Sequence, residues 1–407
     1  MADADATDAT RDSSWTIFLV FLRLGLTSFG GPIAHLGYFR EEFVVRRRWL
    51  SEGVYSDLIA LCQFLPGPAS SQVGMAIGLD RGGLRGAFAA WCGFTMPSAL
   101  AMILFALAAS AWGTQWPAGM VHGLLLVAVA VVAQAVWGMA RTLCPDAPRI
   151  ALALASAALV LLRADAWGQT GAIVIGGILG VAFLRHVAPP PNDAAPARVS
   201  RRLGALSLAA FLLLLFALPL AAKLWPIPEL AIFSAFYRAG SLVFGGGHVV
   251  LPLLQAAVVP PGWISGDAFL AGYGAAQAVP GPLFTFAAYL GAAMTAGPGG
   301  AWGGLLCLLA IFLPSFLLVI GVLPYWDALR RNARMQAALA GINAAVVGLL
   351  LAALYRPVWT SAVHGWMDVA LVVLGIVALI RWQMPSWMVV LGLALGGLAM
   401  GLLPMLL

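Results

Sequence analysis

The feature that most limits what this chain can fold into is its series of long, largely apolar runs. They cover residues 83–109, 118–140, 168–184, 203–222, 301–323, 335–354, 367–380 and 385–406, and a shorter run spans 150–162. A helix of about 20 apolar residues rises about 30 Å, the thickness of a bilayer's hydrocarbon core. In lipid every backbone N–H and C=O must be satisfied inside the protein, which favours helices over open strands. The charge content agrees. Only 9% of the 407 residues are charged, against about 25% in a soluble domain, so lipid must face most of the surface. The net charge of +6 sits in short basic clusters between apolar runs, as the loop charges of membrane proteins do. No nucleic-acid partner is expected.

The chain repeats itself. FLRLGLTSFGG at 21–31 parallels FYRAGSLVFGG at 236–246, displaced by 215, as Arg238 is from Arg23. Trp49 and Ser51 match Trp263 and Ser265, and Gln63-x-x-Pro66-Gly67-Pro68 matches Gln277-x-x-Pro280-Gly281-Pro282, both displaced by 214. Pro97-Ser98 then matches Pro314-Ser315 at 217. Matches in one order with slight drift point to duplication. Between the halves, HVAPPPNDAAPARVSRR at 186–202 reads as a solvated connector. The expected organisation is a cytoplasmic tail over 1–14, a first repeat over 15–186, a cytoplasmic linker over 187–202, an extra crossing over 203–225 and a second repeat over 226–407. The tail carries Asp3, Asp5, Asp8 and Asp12 and no basic stretch, so a cleaved signal peptide is not expected.

In both halves the matched motifs interrupt helices. The run before the first FGG, 15–29, has 15 residues and spans about 22 Å, too little to cross. Pro-Gly-Pro cannot continue a helix, because both prolines lack a donor and have φ fixed. Half-helices at corresponding places of two repeats are the sequence mark of a transporter's binding site. The segments flanking each break either cross together, giving around thirteen helices, or form re-entrant hairpins. With re-entrant hairpins and a cytoplasmic N-terminus, Arg46–Arg48, Arg81, Arg85, Arg141, Arg149, Arg330, Arg331, Arg334 and Arg381 all fall inside, as the positive-inside rule asks. Arg163, Lys223 and Arg356 are left outside. The fold class expected is thus an all-α integral membrane protein of two inverted-topology repeats, broken at FGG and PGP.

These breaks supply the chemistry of an anion site. A half-helix starting at Pro68 puts free N–H groups and the positive end of its dipole inside the membrane, with the Ser70 and Ser71 hydroxyls in its first turn. Its counterpart starts at Pro282, with Thr285. Gly30 and Gly31, and Gly245, Gly246 and Gly247, allow close backbone approach. Helix N-termini gathered at the repeat interface would cradle an oxyanion; the plainer reading is that these glycines and prolines only permit tight packing. Arg23 and Arg238 each lie in an apolar half-helix, where a charge faces a cavity or a partner, or snorkels to the interface. Gln63 and Gln277 are either ligand donors or caps on the broken backbone. His248 is the better proton-carrier candidate; His35 reads as a packing histidine. Asp57 fits a helix-dipole role as well as proton coupling. The few histidines and carboxylates are dispersed, which argues against a metal site, and no cofactor is expected. Cys62, Cys92, Cys144 and Cys307 form no C-x-x-C pair and read as buried small hydrophobes. No phosphate-binding G-x-x-x-x-G-K-[ST], H-E-x-x-H or G-x-S-x-G is present, so neither an ATP-driven motor nor a familiar hydrolase is indicated.

From Trp15 to the C-terminus the chain resembles the chromate ion transporter family in its two-domain form. The motifs that carry this are FLRLGLTSFGGPIAHLGYF, LIALCQFLPGPASSQVGMAIG, FYRAGSLVFGGGHVVLPLL and GYGAAQAVPGPLFTFAAYLG. The resemblance implies a bacterial inner-membrane secondary carrier that expels chromate and confers chromate resistance, driven by the proton motive force. Sulfate is implied as a competing tetrahedral dianion. Arg23, Gly30, Gly31, Pro66–Pro68, Arg238, Gly245–Gly247 and Pro280–Pro282 carry over as functional positions. The second half departs with Gly247 where the first has Pro32, and with Leu283 and Phe284 where it has Ala69 and Ser70, so the cradle is expected to be asymmetric. Sulfate uptake or exchange is the rival function. A membrane enzyme acting on a lipid is the rival class, and it lacks a clustered acid/base set. A homodimer is compatible with the sequence.

Overall fold

The computed structural model describes residues 12–112, 117–163, 165–184 and 199–406. Most of the expected tail and linker therefore lies outside the described residues. All regular structure among those described is helical. The first repeat holds α1 (Ser14–Thr27), α2 (Gly31–Arg40), α3 (Glu52–Phe64), α4 (Ala69–Trp112), α5 (Ala118–Leu143), α6 (Ala147–Leu162) and α7 (Ala166–Phe183). α8 (Arg201–Leu224) leads to the second repeat. That repeat holds α9 (Pro228–Leu242), α10 (Val250–Val258), α11 (Gly266–Ala276), α12 (Phe286–Ala293), α13 (Gly300–Val322), α14 (Trp326–Arg330), α15 (Ala333–Ala353), the single turn α16 (Thr360–Ala362), α17 (Trp366–Ile380) and α18 (Ser386–Leu406). Among the described residues, five helical stretches, containing α4, α5, α8, α13 and α15, are long and apolar enough to cross a membrane. Every apolar run expected to be helical is helical.

The breaks fall where proline and glycine place them. α1 stops at Thr27, Gly30 caps α2 at φ +101°, and Pro32 fits the first turn of α2. α3 stops at Phe64, and α4 begins directly after Pro68. α4 is two arms joined at Gly82 and Gly83, the latter at φ +62°. The arms fold back on each other: a methyl group placed on Gly78 would lie 2.4 Å from the Gly86 carbonyl oxygen. Gly291 and Gly303 close the corresponding α12–α13 hairpin at 2.1 Å in the same test.

Contacts fix the direction of each segment. Phe21, midway along α1, meets Phe39 at the far end of α2 and Phe43 just beyond it. Arg81, at the end of α4's first arm, pairs with Asp12 before α1 and lies over Trp49 before α3. The start of α1, the end of α2, the start of α3 and the α4 bend thus share one face. α1–α2 and the α3–α4 arm are re-entrant hairpins with their tips inward. In the second repeat Thr295 N–H donates to the Trp263 carbonyl and Gly297 abuts Ile232, giving the same arrangement.

The long helices show the inversion. Phe88 and Trp91 of α4 meet Phe316 of α13, Trp91 also meets Phe312, and Ile103 meets Gly304. As α4 ascends, α13 descends, so these equivalent helices are antiparallel. The outer helices are exchanged. α5 of the first repeat packs on α17 and α18 of the second, with Gly119 against Gly397. α15 of the second packs on α6 and α7 of the first, with Gly341 against Gly176. Small residues at both crossings let the backbones approach closely. α8, little buried, lies along α9 and α13. Cys62, Cys144 and Cys307 are buried and Cys92 half-buried, all four as free thiols.

Candidate functional site

The four hairpin tips meet in the interior, and they meet crosswise. Gly67 N–H of the first PGP donates to the Val243 carbonyl, just before the second FGG, at 2.7 Å. Gly281 N–H of the second PGP donates to the Ser28 carbonyl, just before the first FGG, at 2.9 Å. Each glycine also rests on the serine of the other repeat's Pro-Ser pair. A methyl group on Gly67 would lie 2.7 Å from Ser315 Oγ, and one on Gly281 2.8 Å from Ser98 Oγ. Reciprocal contacts of this kind are what a pseudo-twofold relation produces.

Around the crossing, buried polar atoms stand without hydrogen-bond partners. Ser28 Oγ, Ser71 Oγ, Thr95 Oγ1 and Ser315 Oγ have none among the described residues, and each residue is at most 2% exposed. A buried polar group left unsatisfied costs about 1–3 kcal/mol. Oxygens of a ligand would relieve that cost. The first intrahelical bond of α4 comes from Gln72 N–H to the Pro68 carbonyl, so the amides of Ala69, Ser70 and Ser71 precede it and have no partner in their own helix. Gln72 Nε2 donates to the Pro66 carbonyl at 2.7 Å and holds the PGP turn.

The remaining expected residues divide. Ser70 is buried and 3.3 Å from His35 Nδ1, so His35 belongs to the tip rather than to packing alone. His248 Nδ1 lies 2.7 Å from the Tyr273 hydroxyl. Thr285 donates its hydroxyl to the Pro282 carbonyl and is engaged within its own turn. Gln277 Nε2 is buried with no partner among the described residues, whereas Gln63 is exposed. Arg23 is exposed and Arg238 half-buried, and neither forms an ion pair with a described residue. The structure does not bring Arg23 or Gln63 into the interior, although their spacing matches the repeat. Asp57 is buried in an ion pair: its Oδ1 accepts from Trp326 Nε1 at 3.0 Å and Arg330 Nη1 at 2.9 Å. That contact joins α3 to α14 and places Arg330 on the face that carries Arg81.

A cavity of about 940 Å³ opens on that arginine-bearing face. Gly30 lies in its wall, with Gln134 and Arg141 of α5 and Gln383 and Ser386 from the α17–α18 connection. Ser386 donates to the Gln277 carbonyl, so the cavity reaches the edge of the second PGP turn. Sequence reasoning missed Arg141, Thr95, Ser28 and Gln72. In sequence the Pro-Ser pairs are repeat markers; in the fold their serines touch the opposite PGP. Along the sequence the histidines and carboxylates are dispersed. The fold nevertheless brings His122, His364 and Asp368 together where α5 meets α17.

Inverted repeats with broken helices meeting at the core, and a polar cavity leading to them, define a multi-pass membrane protein of the transporter class. Residues 15–181 and 230–398 each match the chromate transporter family, and the chain belongs to that family. It is similar to a chromate transport protein of Pseudomonas aeruginosa, 30% identical over 85% of this chain and 82% of that protein. A probable chromate transport protein of Synechococcus elongatus is 26% identical over 89% of this chain and 88% of its own length. A chromate transport protein of Cupriavidus metallidurans is 27% identical over 94% and 92%. No solved structure matches the chain.

Proposed function

We infer that the protein is a secondary carrier exporting chromate across a bacterial inner membrane, with the anion held between half-helix N-termini at the crossed tips. The observation that carries this is the set of partnerless buried hydroxyls beside the PGP turns. Ser71 and the first amides of α4 face the anion from the first repeat, and Ser315 from the second. Helix N-termini and hydroxyls suit an oxyanion, since both present positive ends without a mobile counter-ion. The cavity on the arginine-bearing face is the cytoplasmic mouth. Arg141 at its wall raises the local concentration of anions. Moving two negative charges out of a cell held at 100 mV negative releases about 4.6 kcal/mol, so export needs little further driving force. Any proton coupling falls to His35 or His248, the histidines at the breaks.

Sulfate is the second reading, because the same N-termini and hydroxyls fit any tetrahedral dianion. Flux into proteoliposomes separates the readings. Labelled chromate and sulfate are compared with and without a pH gradient, using the parent and the Ser71→Ala, Ser315→Ala double variant. The expected result is chromate flux in the parent and at least about a tenfold loss in the double variant, as two lost hydrogen bonds to a charged ligand predict. Flux of sulfate but not chromate would move the assignment to sulfate. Full flux in the double variant would remove the anion from the crossing.

A further inference from the structure

Far from the crossed tips, the exchanged outer helices bring together three side chains with metal-binding chemistry. His122 lies in the second turn of α5 in the first repeat. His364 lies two residues before α17 of the second, next to the cap residue Gly365, and Asp368 lies in the first turn of α17. His122 Nε2 is 2.7 Å from Asp368 Oδ1, and one donor atom from each of the three lies within 4.8 Å of the others. The His122 and His364 rings are 5.8 Å apart between centroids. Asp368 is buried, with Oδ2 fixed by the backbone N–H groups of His364 and Gly365 at 2.8 and 3.0 Å. His122 is part-exposed and His364 exposed, so the cluster is reachable from solvent.

The geometry points to a divalent-cation site at His122, His364 and Asp368, with Zn²⁺ the best-matched ion and Co²⁺ or Ni²⁺ as near alternatives. Two imidazoles and one carboxylate are borderline-soft donors; Mg²⁺ and Ca²⁺ ask for oxygen shells instead. Bonds of 2.0–2.1 Å in a tetrahedron set donor atoms about 3.4 Å apart. The 2.7 Å contact opens slightly to reach that spacing, and the exposed His364 ring rotates in. A fourth position is left for water. The two backbone donors on Oδ2 fix the carboxylate from behind, the outer support that metal-ligating carboxylates use. They belong to His364 and Gly365 themselves, so the site is preformed on the second repeat and completed by one residue of the first. An ion there ties α5 to α17 across the repeats, at the end of α5 away from Arg141.

The test is Zn²⁺ binding by the purified full-length protein without a polyhistidine tag, in competition with a chromophoric chelator. The parent is expected to bind one ion per chain. His122→Ala and His364→Ala are each expected to weaken binding at least about tenfold. His364→Ala leaves the α17 cap in place, because that cap uses the backbone of residue 364, so lost binding in this variant is not misfolding. No stoichiometric binding at micromolar Zn²⁺, or both variants binding as the parent does, would overturn the assignment.

Discussion

The two FGG breaks share a sequence and a hairpin geometry, yet their surroundings differ. At the first, Gly30 is exposed in the cavity, and a methyl group on Gly31 would meet nothing within 4 Å. At the second, a methyl group on Gly246, the equivalent of Gly31, would lie 3.5 Å from Met139 Sδ, and one on Gly245, the equivalent of Gly30, would lie 3.1 Å from Leu143 Cδ1 and 3.3 Å from Asn343 Oδ1 and Met139 Cε. One tip is open toward the arginine-bearing face, and its twin is covered by α5 and α15. Duplication has thus preserved the backbone device while the helices around it take unequal positions. An inverted pair that trades these two environments closes one mouth as it opens the other.

The largest effect is expected where the repeats are most alike, at the PGP glycines. Gly67→Ala and Gly281→Ala force a side chain into φ values of +127° and +99° and against the opposite serine. Backbone strain and overpacking together cost about 2–5 kcal/mol. Thermal stability should fall in both and flux should vanish. Unchanged flux in either would mean that the crossing is not needed for transport.

Arg330→Ala comes next. It leaves Asp57 buried without its guanidinium, and breaking such a pair costs about 3–5 kcal/mol. Replacing Asp57 as well should recover part of that loss in a thermal melt. The exposed Arg40–Glu52 pair, at 2.7 Å, should show little change when broken. An intermediate effect is expected at the unequal FGG tips. Gly245→Ala should reduce flux more than its counterpart Gly30→Ala, because the first adds contacts with α5 and α15 and the second only with Ala34 of its own helix. Equal effects would indicate that the open and covered tips do not exchange. The smallest effects concern the cations. Arg141→Ala should raise the KM for chromate a few-fold with kcat unchanged, and the difference should fade at high salt. Arg23→Ala, on an exposed helix face, should leave flux near that of the parent; a large loss would return Arg23 to the anion's path.

How legible this was in the sequence depends on the kind of signal. Helix positions were open to reading because each run is long and apolar, and breaks because Pro-Gly-Pro and FGG leave a helix nowhere to go. The half-helix expected over 15–29 is α1, Ser14–Thr27. Inversion could be inferred from the clustering of arginines at one repeat's hairpin ends and their lack at the other's. The facing of Arg23 and Gln63 could not be read. In a helix apolar on most sides, no stripe marks the inner face. The Gly67–Val243 bond, the Asp57–Arg330 pair and the His122–Asp368 contact join distant positions through tertiary packing alone, and no local spacing records them.

The crossed tips also bear on how the protein is made. Gly67 leaves the ribosome 176 residues before Val243, the carbonyl it must meet. At about 5–20 residues per second, that is a wait of roughly 9–35 s. Through that interval the first repeat has a donor without its acceptor, and hydroxyls without their neighbours, in the least forgiving solvent the cell offers. Newly inserted first halves should therefore be the form most exposed to membrane proteases, and protection should arrive abruptly once the second FGG enters the bilayer.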